Sequence, residues 1–210
     1  MDLLEFLLET QANVKSQMAE GGLYPEEIFS NIMRQKGRVG HILHAMHRVD
    51  FLGRWMPEFG RLTALVQHEY FHRYTVDEHT LVCIEKLDSL LDTENPRHQG
   101  HRELFQKLED PYVLYLALLL HDTGKAANSK NHAVESTTNA DKVSRRLQLK
   151  SEERRMLIRL VDNHDLMART ARQRDITDPA TIEEFALIVL STAWCRLFAA
   201  LPVSCSSSAR

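Results

Sequence analysis

The chain has 210 residues, 43% of them hydrophobic and 26% charged, which is the composition of an ordinary globular protein with one domain. Its net charge of −3 gives no general reason to expect nucleic acid or an anionic membrane as a partner. Three widely spaced cysteines argue against a disulfide framework or a cysteine zinc site. The apolar runs fall short of the roughly 20 residues of a membrane span, and the N-terminus lacks signal-peptide features, so we expect a cytoplasmic protein.

The first part of the chain is predicted to be a helical extension over residues 1–60. Apolar residues at helical spacing predict a helix over residues 3–20. A short helix is predicted from Pro25, because proline followed by two acids suits a first helical turn. A third helix is predicted from Val39 to Trp55, after which Met56-Pro57 breaks the pattern.

A compact helical bundle is predicted over residues 61–200. Thr75 and Glu78 have the spacing of a capping box, so a helix should run from there to about Leu91. Further helices are predicted at 100–108, from Asp110-Pro111 to His121, at Lys130–Leu147, at Ser151–Asn163 with Ser151 as its cap, and from Asp178-Pro179. No β-alternation precedes residue 204, so the predicted fold class is all-α, and residues 201–210 are predicted to be a disordered tail.

The most informative feature is the pair His121-Asp122, which follows eight consecutive apolar residues, 113–120. Burying an ionised carboxylate without a partner costs several kcal/mol, so such groups are normally paired or bound to a metal. His79, His132 and His164 stand on or beside predicted helices and can converge on one face of a bundle. The sequence therefore predicts a metal site.

Imidazoles with one carboxylate suit Mn, Fe, Co or Zn better than ions that prefer all-oxygen shells. Asp122 is a candidate to bridge two metals, and two metals about 3.5–4 Å apart would favour phosphoryl transfer. Lys125, one turn beyond Asp122, is a candidate to offer a positive charge to a phosphate.

Other histidines and basic residues are predicted to lie on polar surfaces. His41, His44 and His47 share one helix face but have no acid or cysteine near them in the sequence. We expect His98 and His101 to be equally uninvolved in a site. A basic stretch over residues 145–159 is predicted to be a solvated face. Arg169 and Arg172 are weaker candidates for contacts with a nucleotide phosphate.

The apolar run, His121-Asp122, Gly124 and Lys125 together resemble the signature of the HD superfamily of metal-dependent phosphohydrolases. Flanking segments are similar to the HD domains of bifunctional PII uridylyltransferase/uridylyl-removing enzymes, and these segments are residues 56–59, 71–81, 163–167 and 174–179. The resemblance covers roughly residues 38–186.

The resemblance implies an HD helical bundle that hydrolyses the uridylyl group from a tyrosine of the PII signal protein in nitrogen regulation. It implies that His79, His121 and Asp122 are metal ligands, and that His132 and His164 match the additional histidines of HD proteins with two metals. The implied cofactor is one or two divalent ions, Mn first and Fe, Co, Zn or Mg as alternatives. Asp122 and Lys125 are then the candidate catalytic residues.

The sequence departs from this pattern in two respects. The family places a further aspartate on a late helix, but no acid follows Glu184 here, and a changed reading frame or a truncation near the end is one hypothesis for this. The chain also has no Gly-Ser followed by spaced aspartates, so we expect no nucleotidyltransferase activity from it. Three functions therefore stay open: hydrolysis of uridylylated PII, hydrolysis of a free nucleotide or cyclic dinucleotide, and a degenerate HD domain that only binds nucleotide or a partner protein.

Overall fold

A computed structural model describes residues 25–66, 74–127 and 131–166, together with positions 170, 173–175, 177–181 and 183. The predicted helix over residues 3–20, the predicted tail over 201–210, and both Arg169 and Arg172 lie outside the described residues.

The described part of the chain is built from helices and contains no strand, which confirms the all-α prediction. The α-helices are α1 (Pro25–Met33), α2 (Val39–Arg48), α3 (Phe51–Trp55), α4 (Pro57–Gly60), α5 (Val76–Ser89), α6 (Gln99–Lys107), α7 (Tyr112–Leu120), α8 (His132–Arg146) and α9 (Ser151–Asp162). Two 3-10 segments, Pro96–His98 and Thr123–Ala127, precede α6 and follow α7. In the described ranges no helix is long and apolar enough to cross a membrane.

Helix α7 is the centre of the bundle. All nine of its residues are buried, and it packs against α1, α4, α5, α8 and α9. A helix that is apolar on every side is stable only when other elements surround it. The apolar run of the sequence therefore forms the core, as predicted.

One hydrophobic cluster joins residues from both sides of the predicted boundary at residue 60. Phe29, Met33 and Phe59 lie in the same cluster as Phe105 and Tyr115. Each such large side chain contributes about 1.5–3 kcal/mol when fully buried. The division into an extension and an HD domain remains a prediction.

The predicted helix from Val39 to Trp55 is wrong in its middle. The chain forms two helices, α2 and α3, because Asp50 adopts a left-handed conformation with φ of 58°. Aspartate tolerates this conformation better than most residues. Its carboxylate also accepts a hydrogen bond from Arg54 Nε at 2.8 Å, which holds the turn.

Two predicted helix caps differ in detail. Helix α5 begins after Thr75, but the Thr75 side chain makes no cap hydrogen bond, and the Glu78 carboxylate contacts His44 at 3.1 Å instead of reaching back. Helix α9 begins at Ser151 itself, with Lys150 at the cap position, so the prediction of Ser151 as the cap is wrong. Glu153 accepts the Lys150 backbone N–H at 2.8 Å, which closes the first turn.

A buried carboxylate links α2, α5 and α7. Asp88 accepts hydrogen bonds from the Tyr115 hydroxyl and, at 2.7 Å, from the Gly40 backbone N–H. Burial raises the pKa of Asp88 to about 6, even though these hydrogen bonds act in the opposite direction. The protonated form is therefore the more stable one in the folded protein up to that pH.

This raised pKa makes stability fall as pH rises from about 4 to about 6, because the folded state binds more protons than the unfolded state in that window. The shift from 3.8 to about 6 corresponds to about 3 kcal/mol. We expect Asp88→Asn to remove most of this slope, since its amide accepts from Gly40 and donates to Tyr115 without titrating. Urea unfolding at several pH values measures the free energy of unfolding and therefore its slope with pH. Asp92→Asn, which removes an exposed carboxylate, is the control, and equal slopes in wild type and D88N would contradict the expectation.

Candidate metal centre

Two polar residues, His121 and Asp122, directly follow the last residue of the buried apolar helix α7. The last carbonyls of a helix lack partners within the helix. In α7, side chains provide the missing hydrogen-bond donors. The Thr123 hydroxyl donates to the Leu120 carbonyl at 2.8 Å, and His121 Nδ1 donates to the Leu118 carbonyl at 2.7 Å. These hydrogen bonds hold the turn that carries His121 and Asp122. Both residues are buried, with 1% and 2% of their surface exposed.

Three of the predicted ligands lie together. His79 on α5, His121 and Asp122 each offer one donor atom, and these atoms are all within 4.8 Å of one another. The His121 Nε2 atom is 3.2 Å from Asp122 Oδ2, and the His79 and His121 rings are 6.0 Å apart between centroids. Residues 42 positions apart thus meet because α5 packs against α7.

The two remaining predicted histidines border the same cluster. His164, which follows α9, is buried and places Nε2 at 3.7 Å from Asp122 Oδ1. Its ring lies 5.4 Å from that of His121, and the half-buried His132 at the start of α8 lies 6.2 Å from His164. The structure therefore brings all five predicted ligand residues into one region.

Two of the imidazoles are oriented by the same backbone contact. His121 Nδ1 lies 2.7 Å from the Leu118 carbonyl, and His164 Nδ1 lies 2.7 Å from the Val161 carbonyl. A carbonyl only accepts, so Nδ1 carries the hydrogen in both rings. Both Nε2 atoms are thereby directed to Asp122, which is the orientation that protein metal sites impose on their histidines.

The charges of this cluster compensate one another. Burial alone would raise the pKa of Asp122, but the neighbouring charges of His121 and Lys125 hold the pKa of its carboxyl well below its usual range. Burial likewise opposes charge on His121, yet Asp122 outweighs it and raises the His121 pKa. Burial and the proximity of His121 lower the pKa of His164. The centre is an ionised carboxylate among imidazoles, a donor set that fits a transition-metal ion.

Lys125 lies on the 3-10 segment and forms an ion pair with Asp122, with 2.8 Å between Nζ and Oδ2. Its side chain is 15% exposed, whereas that of Asp122 is 3% exposed. The ammonium group therefore lies between the buried carboxylate and the solvent.

Gly124 allows α8 to approach this segment. A Cβ atom at position 124 would lie 1.9 Å from the His132 carbonyl oxygen and 2.6 Å from the Ser136 backbone nitrogen. The Gly124 N–H instead donates to Ser136 Oγ at 2.9 Å. The absence of a side chain at Gly124 therefore sets how close His132 lies to Lys125 and Asp122.

One neighbour of the centre was missed in the sequence. Cys83 is fully buried, and its Sγ lies 3.6 Å from His79 Nε2. A spacing of four residues on a helix places the two side chains on one face. The four-residue spacing of His79 and Cys83 is visible in the sequence and is the signal that places Cys83 beside His79.

The other singled-out residues lie elsewhere or find different partners. His98 and His101 lie near each other at α6, outside the cluster. In the basic stretch, Arg145 and Arg154 both form ion pairs with Asp141, which agrees with a surface role. His44 and His47 do meet acids, which α5 supplies from a distant part of the sequence.

Comparison with known proteins identifies the family of the chain. Residues 76–188 match the HD domain family, which is more than half of the chain. The chain belongs to the HD domain family. It is 39% identical over 166 residues to the bifunctional uridylyltransferase/uridylyl-removing enzyme of Methylococcus capsulatus, and 37% over 163 residues to that of Pseudomonas fluorescens. Each match covers 77% of this chain but 18% of the relative, so the chain spans less than a fifth of these enzymes.

We expect Gly124→Ala to disrupt the centre, because the new Cβ atom meets backbone atoms that cannot turn away. Overpacking of this kind costs about 1–3 kcal/mol of stability. Chemical unfolding together with calorimetric Mn²⁺ titration measures both consequences, and we expect weaker Mn²⁺ binding as well. Gly100→Ala is the matched control, since nothing lies within 4 Å of its Cβ position. Full stability and unchanged Mn²⁺ binding in G124A would show that the contact at Gly124 is unimportant.

Proposed function

We propose that this chain is a metal-dependent phosphohydrolase that removes UMP from a uridylylated tyrosine of a PII-type signal protein. The observation that carries the proposal is the buried cluster of His79, His121 and Asp122, with donor atoms within 4.8 Å of one another. Membership of the HD domain family supports the hydrolase class. The relatives are uridylyl-removing enzymes by name, which supports UMP as the group that is released.

We assign His79, His121 and Asp122 as the ligands of a divalent metal, and His164 and His132 as the side chains that would complete a second site. The donor set fits Mn, Fe, Co or Zn, and Mn is our first choice. When bound, such a metal supplies an activated water and neutralises charge that develops on the phosphoryl oxygens.

The protein's own residues have defined tasks in this proposal. His121 and His164 keep their Nε2 atoms directed to Asp122 through the backbone contacts of their Nδ1 atoms. Lys125 keeps Asp122 ionised through the 2.8 Å ion pair. We also assign its ammonium group to the phosphate side of the centre, because Lys125 is the more exposed member of this pair.

A second function, binding without turnover, is favoured by one feature of the sequence. Residues 185–210 contain no acid, whereas the resemblance implies a further aspartate on a late helix. Loss of one carboxylate removes a negative charge from a cation site and weakens it. In that case the centre would hold a nucleotide or a partner protein without hydrolysing it.

We expect the purified chain to release UMP from uridylylated PII when Mn²⁺ is added, and to release none after chelation. His121→Ala and Asp122→Asn should each lower the rate by at least about 100-fold, since even the partners of metal ligands are worth 10–100-fold. His98→Ala, a histidine outside the cluster, is the matched control and should keep the wild-type rate. Anion-exchange chromatography of the released UMP measures each rate.

Parallel assays distinguish the alternatives. A cyclic dinucleotide and a free nucleoside triphosphate test the second enzyme hypothesis under the same conditions. Tight Mn²⁺ binding without turnover of any of these compounds would favour a binding role. If the chain binds no metal and H121A changes nothing, both enzyme hypotheses fail.

A further inference from the structure

A row of polar contacts joins α2 to α5, the helix that carries His79. We call it the histidine–carboxylate seam, and it consists of His44, His47, Asp77, Glu78 and Glu85. His44 Nδ1 lies 2.5 Å from Glu85, and its Nε2 lies 3.1 Å from Glu78. His47 Nε2 lies 3.1 Å from Asp77 Oδ2. Each histidine of this row therefore contacts carboxylates that lie at least 30 residues away in sequence.

The seam brackets His79 on its own helix. Asp77 and Glu78 are the two residues before His79, and Glu85 lies less than two turns after it. Asp77 Oδ2 also accepts the Ala64 backbone N–H at 3.1 Å, so this carboxylate ties the first turn of α5 to two other parts of the chain. The position of that turn determines where His79 stands relative to His121 and Asp122.

The two helices approach closely at the other end of the seam. A Cβ atom on Gly40 would lie 2.8 Å from the Glu85 backbone, so the helix backbones are in contact there. The Gly40 N–H donates to Asp88 at 2.7 Å. The contact between α2 and α5 is therefore fixed at Gly40. The seam then fixes the rotation and position of α5 towards its first turn, where Asp77 and Glu78 lie.

The seam is not needed for burial of α2. That helix already places apolar side chains, among them Val39, Leu43 and Met46, in the core. Burying charged pairs contributes little net stability, because desolvation offsets their attraction, and their best-attested use is to fix register. The contact between His47 and Asp77 is a largely buried polar contact that can serve the same purpose, with side chains 13% and 5% exposed.

We propose that the histidine–carboxylate seam is the device that positions His79 for metal binding, so that His44 and His47 are positioning residues of the centre. This inference rests on the proposed metal site. His44 and His47 act through α5 and do not themselves bind the metal.

Alanine substitutions test the seam, since alanine maintains the helix. We expect His47→Ala to weaken Mn²⁺ binding about tenfold, at the low end of the effect of partners beyond the ligands themselves. His47→Gln keeps a donor for Asp77 and should restore most of the affinity, although it lacks the ring that lies edge-on to Phe59 at 5.5 Å. His41→Ala, an exposed histidine of the same helix, is the matched control and should bind Mn²⁺ as the wild type does.

His44→Ala gives the sharpest result, because an effect of charge and an effect of positioning would change the Mn²⁺ affinity in opposite directions. Both His44 ring nitrogens lie within hydrogen-bond distance of a carboxylate, and this geometry favours the doubly protonated, cationic ring. If only charge mattered, removing this cation would strengthen Mn²⁺ binding, whereas loss of positioning weakens it. Calorimetric titration gives the affinity, and chemical unfolding without metal gives the stability of each variant.

The outcomes separate this inference from the proposed function. If wild type binds no Mn²⁺, the metal site itself fails, and the seam proposal fails with it. If wild type binds Mn²⁺ but H47A and H44A bind it equally well or better, the metal site is supported, and the proposal that the seam positions His79 is wrong. Should H47A fail to fold, H44A and H47Q decide, because the His44 side chain is 20% exposed and the side-chain amide of H47Q offers a donor to Asp77.

Discussion

The ionised carboxylate of Asp122, buried at the end of an apolar helix, is the interaction on which the arrangement of this protein depends. Desolvation of such a group costs several kcal/mol, and only close opposite charges and hydrogen bonds offset that cost. His121 at 3.2 Å and Lys125 at 2.8 Å supply them within the next turn of chain. The 3-10 segment after α7 is therefore required, because it returns Lys125 to the carboxylate it must neutralise.

Helices α8 and α9 bring further imidazoles to the same cluster. His164 is held by a backbone carbonyl at the end of α9 and brings a third imidazole to Asp122. Gly124 lets the first turn of α8 contact the 3-10 segment, which brings His132 to the edge of the cluster. His79 stands on α5, and His121 and Asp122 follow directly on the fully buried α7, so packed helices anchor these donors, and sites anchored in this way keep their geometry better than sites on free loops.

The sequence predicts part of this arrangement, for identifiable physical reasons. Helix α7 is predictable because eight consecutive apolar residues leave few alternatives to a core helix, and His121-Asp122 is conspicuous where it ends. The break at Asp50 is not predictable from periodicity, since the apolar spacing continues across it. The partners of His44 and His47 come from α5, 30 or more positions away. Helix spacing reports which face a residue occupies but not which helix packs against that face, so the seam emerges only in three dimensions.

The balance of charge in the centre bears on its chemistry. Within the described cluster the carboxylate of Asp122 is opposed by the ammonium of Lys125, and imidazoles supply the other donors. A divalent cation held by such a set keeps most of its positive charge, which weakens its retention but increases its attraction for an anionic phosphodiester. With few negative ligands to hold the ion, the geometry of the imidazoles must contribute more of the affinity. The precise placement of His79, His121 and His164 by backbone contacts and by helix packing meets that demand.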